Sequence, residues 1–218
     1  MRTTKIYDDL YKNGGWVYNV EERRSLIREL IVKPSNWPPG GKVLEIGCGM
    51  GLYAHLLSEM GFQVTAVDLS QEGIRQAQNT YQGPEYIHAD LTEFNPQCKF
   101  DGILSNGMSW FHYELDGVNA CGVDVPRQTA RLFEWLKPGG TFILKIKTDF
   151  SGTRPVDKVH NNRFTDYVNL FEPLGTVTSV TDARLGKHLG AERDAAPTLI
   201  RKLFKKTRYG VVITTQKS

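Results

Sequence analysis

The sequence predicts an α/β fold: a doubly wound, mostly parallel sheet with helices on both faces. Three observations carry the prediction. From Lys42 onward, short apolar strands alternate with helical faces. "VLEIGCGMG" (Val43 to Gly51) is an apolar strand that breaks into three glycines within five residues. "KPGG" follows a late helical face and precedes another apolar strand. Strand, helix, strand in this rhythm means parallel strands joined by right-handed crossovers and covered on both sides.

The elements follow in order. Leu26, Ile27, Leu30 and Ile31 recur with helical spacing among charges and predict an amphipathic helix of about 12 residues. Before it, "YDDLYKNGGWVY" (Tyr7 to Tyr18) mixes aromatics with a Gly-Gly break. It reads equally as a flap and as an aromatic staple onto the helix layer. "VKPSNWPPGG" (Val32 to Gly41) is a Pro/Gly linker. Lys42–Ile46 is the first strand, followed by a helical face of Tyr53, Leu56, Leu57 and Met60. Gln63–Val67 is the second strand. Ser70 caps the next helix, with face Ile74, Ala77, Gln78 and Tyr81. Tyr86–Ala89 and Asp101–Ser105 are the third and fourth strands. Thr129, Leu132, Phe133 and Leu136 mark a helix that "KPGG" ends by the glycine-after-helix rule. Thr141–Lys147 is the fifth strand, Asn161–Phe171 is helical, and Thr176–Leu185 and Tyr209–Gln216 are β-rich.

Composition narrows the function classes. The chain has 218 residues, 40% hydrophobic and 23% charged, so one domain can bury a sizeable core. The net charge of +3 is too small for a general nucleic-acid binder, although "RKLFKKTR" (Arg201 to Arg208) is a basic run without an acid. No stretch reaches the roughly 20 apolar residues of a membrane span, and the first residues lack the apolar core of a signal peptide. Cys48, Cys98 and Cys121 have no metal-like spacing, and their odd number argues against a disulfide framework. The expectation is a soluble cytoplasmic protein, monomer or homodimer, with no metal.

Gly47, Gly49 and Gly51 give the spacing G-x-G-x-G. A dinucleotide fingerprint needs its third glycine where Leu52 stands, and no Lys-Ser/Thr follows for a P-loop. Neighbouring acids sharpen the reading. Asp68 in "AVDLS" stands where an acid can accept both hydroxyls of a ribose. Asp90 in "HADL" stands where an adenine amino group is read, or it caps a turn before "LTEF". Glu45, two residues before the first glycine, is placed to hold the amides of the turn.

With "VLEIGCGMG", "VTAVDLS", "YIHADL", "DGILSNG" and "FEWLKPGGTFIL" in that order, the chain from about Gly40 to Lys147 resembles the class I S-adenosylmethionine-dependent methyltransferases. The resemblance implies a seven-stranded sheet whose last strand inserts antiparallel. It implies a cofactor, S-adenosylmethionine, leaving as S-adenosylhomocysteine. Glu45, Gly47 and Gly49 would lie along its methionine moiety, Asp68 would hold its ribose and Asp90 would face its adenine, with Cys48, Gly51, Leu69, Leu91 and Asn106 as further cofactor contacts. Residues 1–39 would form a flap and helix over the cofactor site, and residues 40–218 the methyltransferase domain.

The acceptor pocket is expected at "SNGMSWFHYEL" (Ser105 to Leu115), which reads equally as a core helix. His112 is the best general-base candidate, since histidine titrates near pH 6.5; Asn106 and Tyr113 complete the catalytic candidates. Tyr11, Trp16, Tyr18, Trp110, Phe111 and Lys147 are the candidate acceptor contacts. Lys145, Asp149 and His160 border the site if their loop folds back, and Arg184, Lys187, His188 and Arg193 matter if the acceptor carries a carboxylate or phosphate. "SNGMSW" has the Asn but lacks the prolines of the DNA-amino-methylating branch, which points to O- or N-methylation of a small molecule. The alternatives are an RNA or protein methyltransferase, in which nucleic acid is possible but not favoured, and a non-catalytic S-adenosylmethionine-binding regulatory subunit.

Overall fold

The computed structural model describes residues 2–148, 152, 161–182 and 209–218. Seven strands form one sheet in the order β3-β2-β1-β4-β5-β7-β6. They are β1 (Lys42–Ile46), β2 (Gln63–Asp68), β3 (Glu85–His88), β4 (Phe100–Asn106), β5 (Leu136–Thr148), β6 (Gly175–Asp182) and β7 (Tyr209–Lys217). The pairs β1–β2, β1–β4, β2–β3 and β4–β5 are parallel. β7 runs antiparallel between β5 and β6, so the last strand does insert against the direction of the rest.

The helices are α1 (Arg2–Lys12), α2 (Val20–Ile27), α3 (Lys33–Ser35), α4 (Leu52–Glu59), α5 (Gln71–Thr80), α6 (Val125–Glu134) and α7 (Phe164–Phe171). Side-chain alternation along the central strands feeds two cores. Val43, Leu104 and Ile143 pack with Ile27, Leu56 and Leu57 of α2 and α4. Leu44, Ile103 and Phe142 pack on the other face with Phe111, Phe133 and Phe171.

Three boundaries differ from the sequence reading. First, the N-terminal amphipathic helix is longer than expected. α2 runs through a π-helical turn, Arg28–Val32, into α3, and so absorbs the start of the Pro/Gly linker. It stops at Asn36, which sits in the left-handed region at φ 55°. The rest of the linker is pinned: the Trp37 indole donates to Thr141 Oγ1 at 2.7 Å. Its ring lies so close over Gly102 that a Cβ there would come within 2.1 Å of it.

Second, α6 ends at Glu134, and Leu136 already belongs to β5, paired with Phe100. Lys137–Gly140 form an irregularity before pairing resumes at Gly102 and Thr141. "KPGG" is therefore a bulge within a strand, because pairing with β4 begins before the glycines. Third, α7 starts at Phe164 rather than Asn161. The Asn162 side chain instead donates to the Tyr113 carbonyl at 2.8 Å, tying this loop to the one after β4. Asp149, His160, Arg184, Lys187, His188, Arg193 and the basic run 201–208 lie outside the described residues.

Candidate functional site

A cavity of about 730 Å³ opens at the carboxyl ends of β1, β2 and β4. In open α/β sheets this is where a ligand crevice forms, beside the reversal of strand order between β1 and β4. Gly47, Cys48, Gly49, Gly51, Asp68, Leu69, Asp90, Leu91 and Asn106 all line it, as do Tyr11, Trp16, Tyr18, Trp110 and His112.

The turn after β1 is held from β2. The amides of Gly47 and Cys48 donate to the Val67 carbonyl at 2.8 and 3.2 Å. Gly49 N donates to Asp68 Oδ2 at 2.7 Å, and Ser70 N donates to Oδ1 at 2.8 Å. Asp68 is only 9% exposed. Burial lifts its affinity for a proton while the two amides oppose that effect. A carboxylate has about four acceptor positions, so two amides leave it able to take further donors.

The acid holding the turn is thus Asp68, and not Glu45 as the sequence suggested. The Glu45 carboxyl lies near the first turn of α4, where the Ala54 amide partly offsets the effect of its burial. Burial pushes its pKa up to about 8. Its Oε2 is buried without a hydrogen-bond partner, a site that a ligand's donor would satisfy.

The glycines serve different ends. Gly47, Gly49 and Gly51 all have positive φ, at 68°, 54° and 80°. A Cβ on Gly49 would reach 2.7 Å from the Tyr11 hydroxyl, so this glycine keeps the crevice open beneath α1. A Cβ on Gly51 would meet the Tyr86 ring at 2.6 Å and Ala77 at 2.7 Å. That glycine is demanded by packing of α4 on β3 and α5. Cys48 is buried, and burial raises its thiol well above the ordinary range, so it is a small apolar turn residue and no thiolate nucleophile.

Asp90 does two things at once. It is exposed and lines the cavity, and its Oδ1 accepts the Thr92 amide at 2.8 Å and hydroxyl at 2.7 Å. Arg131 of α6 fixes the same turn by donating to the carbonyls of Leu91, Thr92 and Phe94 while its guanidinium stacks on Trp135 at 5.0 Å. No local pattern marks this role, since its targets are backbone groups about 40 residues away.

The N-terminal segment is seated on the crevice. Tyr11 is buried, and Tyr7, Tyr11, Trp16 and Tyr18 line the cavity. Asp8 accepts the Ser70 hydroxyl at 2.5 Å and the Glu72 amide at 3.2 Å, at the start of α5. Gln76 Nε2 donates to the Tyr11 carbonyl at 2.8 Å. Asp8 was not singled out in the sequence, although an acid at a helix N-terminus is electrostatically favoured.

The loop after β4 divides. Trp110 and His112 turn toward the cavity, whereas Phe111 and Tyr113 are not among its walls. Phe111 has no exposed surface, because on this 3-10 turn, Ser109–His112, it points down among Phe142 and Phe171. The acceptor-contact role expected of Phe111 is therefore corrected to a core role. Tyr113 ends the turn in extended backbone and leaves the wall. Lys147 is exposed and also off the wall. β5 continues past the last residue of β4, whose Asn106 pairs with Lys145, and carries Lys147 two residues beyond it.

Lys145 is not a wall residue either, but it stands directly behind two that are. Its Nζ donates to Asn106 Oδ1 at 2.9 Å and stands 5.5 Å from the centre of the Tyr53 ring. Asn106 and Tyr53 both line the cavity. Burial, with the neighbouring charges of Arg23 and Lys147, brings the Lys145 pKa down to about 8.

Comparison with known proteins adds the following. Residues 43–140 match the family model described as "Methyltransferase domain". A malonyl-[acyl-carrier protein] O-methyltransferase from Buchnera aphidicola is 31% identical over 46% of this chain and 37% of its own length. A ubiquinone biosynthesis O-methyltransferase from Bradyrhizobium diazoefficiens is 32% identical over 53% of this chain and 44% of its own. The chain thus spans less than half the length of either relative. The crystal structure of an S-adenosylmethionine-dependent methyltransferase from Clostridium acetobutylicum has a TM-score of 0.63 at 16% identity, covering 100% of this chain and 98% of that one, and shows the shared fold. Among the described residues no helix is long and apolar enough to cross a membrane.

Proposed function

We propose that this chain, whose residues 43–140 match a methyltransferase domain, is a class I S-adenosylmethionine-dependent methyltransferase and that it methylates an O or N atom of a small molecule. The observation that carries this reading is one cavity shared by Asp68, Asp90, the glycine turn and Asn106. The residues suit the cofactor: a glycine cradle for an amino-acid tail, an orphaned Glu45 oxygen below it, and two acids for a nucleoside.

The cofactor supplies a methyl group already activated on a sulfonium. The chain's own work is to align, to exclude water and to move a proton where the acceptor has one to lose. α1 and the aromatics that follow it cover the crevice and strengthen electrostatics inside it. Asp68 fixes the turn and receives ribose hydroxyls, and Asp90 reads the adenine edge. Trp110 shapes the acceptor wall. His112, partly buried on that wall, takes the acceptor's proton.

Titration with S-adenosylhomocysteine and, separately, with NAD tests the cofactor assignment: the first is expected to bind and the second not. Transfer of labelled methyl groups to a panel of phenols, amines and carboxylic acids tests the activity. An RNA substrate would instead show affinity that falls steeply with salt. His112→Ala is expected to lower turnover at least tenfold with S-adenosylhomocysteine affinity little changed. An unaltered pH–rate profile in that variant would make His112 structural.

A further inference from the structure

Beside the cavity, on the sheet face covered by α2 and α4, two cations share one tyrosine. Lys145 Nζ stands 5.5 Å from the Tyr53 ring centre. Arg23 of α2 also approaches the Tyr53 side chain, and its guanidinium lies 4.8 Å over the Tyr18 ring. Among the described residues neither cation forms an ion pair with a carboxylate; those found involve other residues. Arg23 Nε is buried with no hydrogen-bond partner. Buried charges are ordinarily paired, and like charges brought together in a partly dry corner repel. Such a corner gains most from an anion.

We propose that Arg23 and Lys145 form a seat for an acidic group, carboxylate or phosphate, carried by the methyl acceptor. This rests on the reading of the cavity as the site of methyl transfer and narrows it to acidic small molecules. Three further features agree. Lys145 is tied to Asn106, the residue at the end of β4, so an acid bound there is held against the cavity wall. Tyr18 and Tyr53, both cavity-lining, supply flat apolar surface beside the cations. Trp16, Val17 and Val20 leave the rim apolar, at 52%, 93% and 41% exposure, which suits an acid borne on an apolar body. The lowered basicity of Lys145 fits a cation lacking its counter-ion, and a bound acid would restore it.

The probes are benzoate, phenyl phosphate and the neutral benzyl alcohol, titrated calorimetrically into the protein with and without saturating S-adenosylhomocysteine. The acids are expected to bind at least tenfold more tightly than the alcohol. Lys145→Met and Arg23→Met are each expected to remove that preference while leaving S-adenosylhomocysteine affinity within about threefold. Lys145→Arg, which keeps the charge, is expected to retain it and controls for folding. Equal binding of acids and alcohol overturns the proposal. So does a tenfold loss of S-adenosylhomocysteine affinity in the Met variants with acid binding unchanged, which would assign the cations to the cofactor's own carboxylate. Should S-adenosylhomocysteine fail to bind the native protein, the methyltransferase reading falls. The acid–alcohol comparison in its absence still decides whether the cation corner is an anion seat.

Discussion

Asp68 accepts amides from two different elements, Gly49 in the turn and Ser70 before α5, so one carboxylate sets the shape of the crevice. Removing it leaves two buried amides without partners, each costing about 1–3 kcal/mol. Asp68→Ala is therefore expected to weaken S-adenosylhomocysteine at least tenfold and to lower the denaturation midpoint; an unchanged dissociation constant would remove Asp68 from the site. Glu45 makes a prediction of opposite sign. Its folded pKa is raised to about 8 from an ordinary 4.5, so the native state holds a proton that the unfolded chain has released. Stability from this group is full below about pH 4.5 and is lost as pH rises toward 8. Glu45→Gln is expected to flatten that decline, making the variant more stable relative to native protein at pH 8 than at pH 5. Parallel urea-denaturation curves at the two pH values check it, and an identical difference at both would refute the buried neutral acid.

At the scale of elements, the informative case is α1. It is bound to α5 by Asp8 and by Gln76, and to the glycine turn through Tyr11 over Gly49. The Ser70 hydroxyl holds the Asp8 carboxyl below its ordinary pKa of 3.8, so this tether persists at neutral pH and is lost only as pH falls below that value. Asp8→Ala removes a cap-like contact worth about 1 kcal/mol. Amide exchange across residues 4–12 is expected to quicken several-fold and S-adenosylhomocysteine dissociation with it. Unchanged protection of those amides would mean that Tyr11 alone seats the helix.

At the scale of the whole molecule, the crevice draws on β1, β2, β4, α1 and the loop after β4, so a ligand there joins parts remote in sequence. A ligand that binds only the folded state at a hundredfold excess over its Kd adds about 2.7 kcal/mol. For a domain of this size that corresponds to a rise of about 5–10 °C in Tm. S-adenosylhomocysteine is expected to give such a shift in a thermal scan and NAD none. A flat response to both would leave the crevice without its cofactor.

Much of the molecule was legible in the chain because its strands and turns are written locally. Apolar runs and helical spacings marked the central elements, the glycine spacing marked the turn after β1, and acids at strand ends marked the crevice, since each depends on residues close in sequence. Where partners are distant, the sequence was silent or misleading. Leu136 looks helical until β4 pairs with it, and Phe111 looks like a pocket wall until Phe142 and Phe171 pack around it. Asp8, Arg131 and the Arg23–Lys145 pair carry no local signature, because their meaning lies in backbone carbonyls, helix starts and rings supplied from elsewhere in the chain. The sequence by itself determined the sheet, the glycine corner and the kind of ligand it suits. Only the tertiary structure decided which side chains line that crevice, since lining is a property of packing between elements and not of spacing within one.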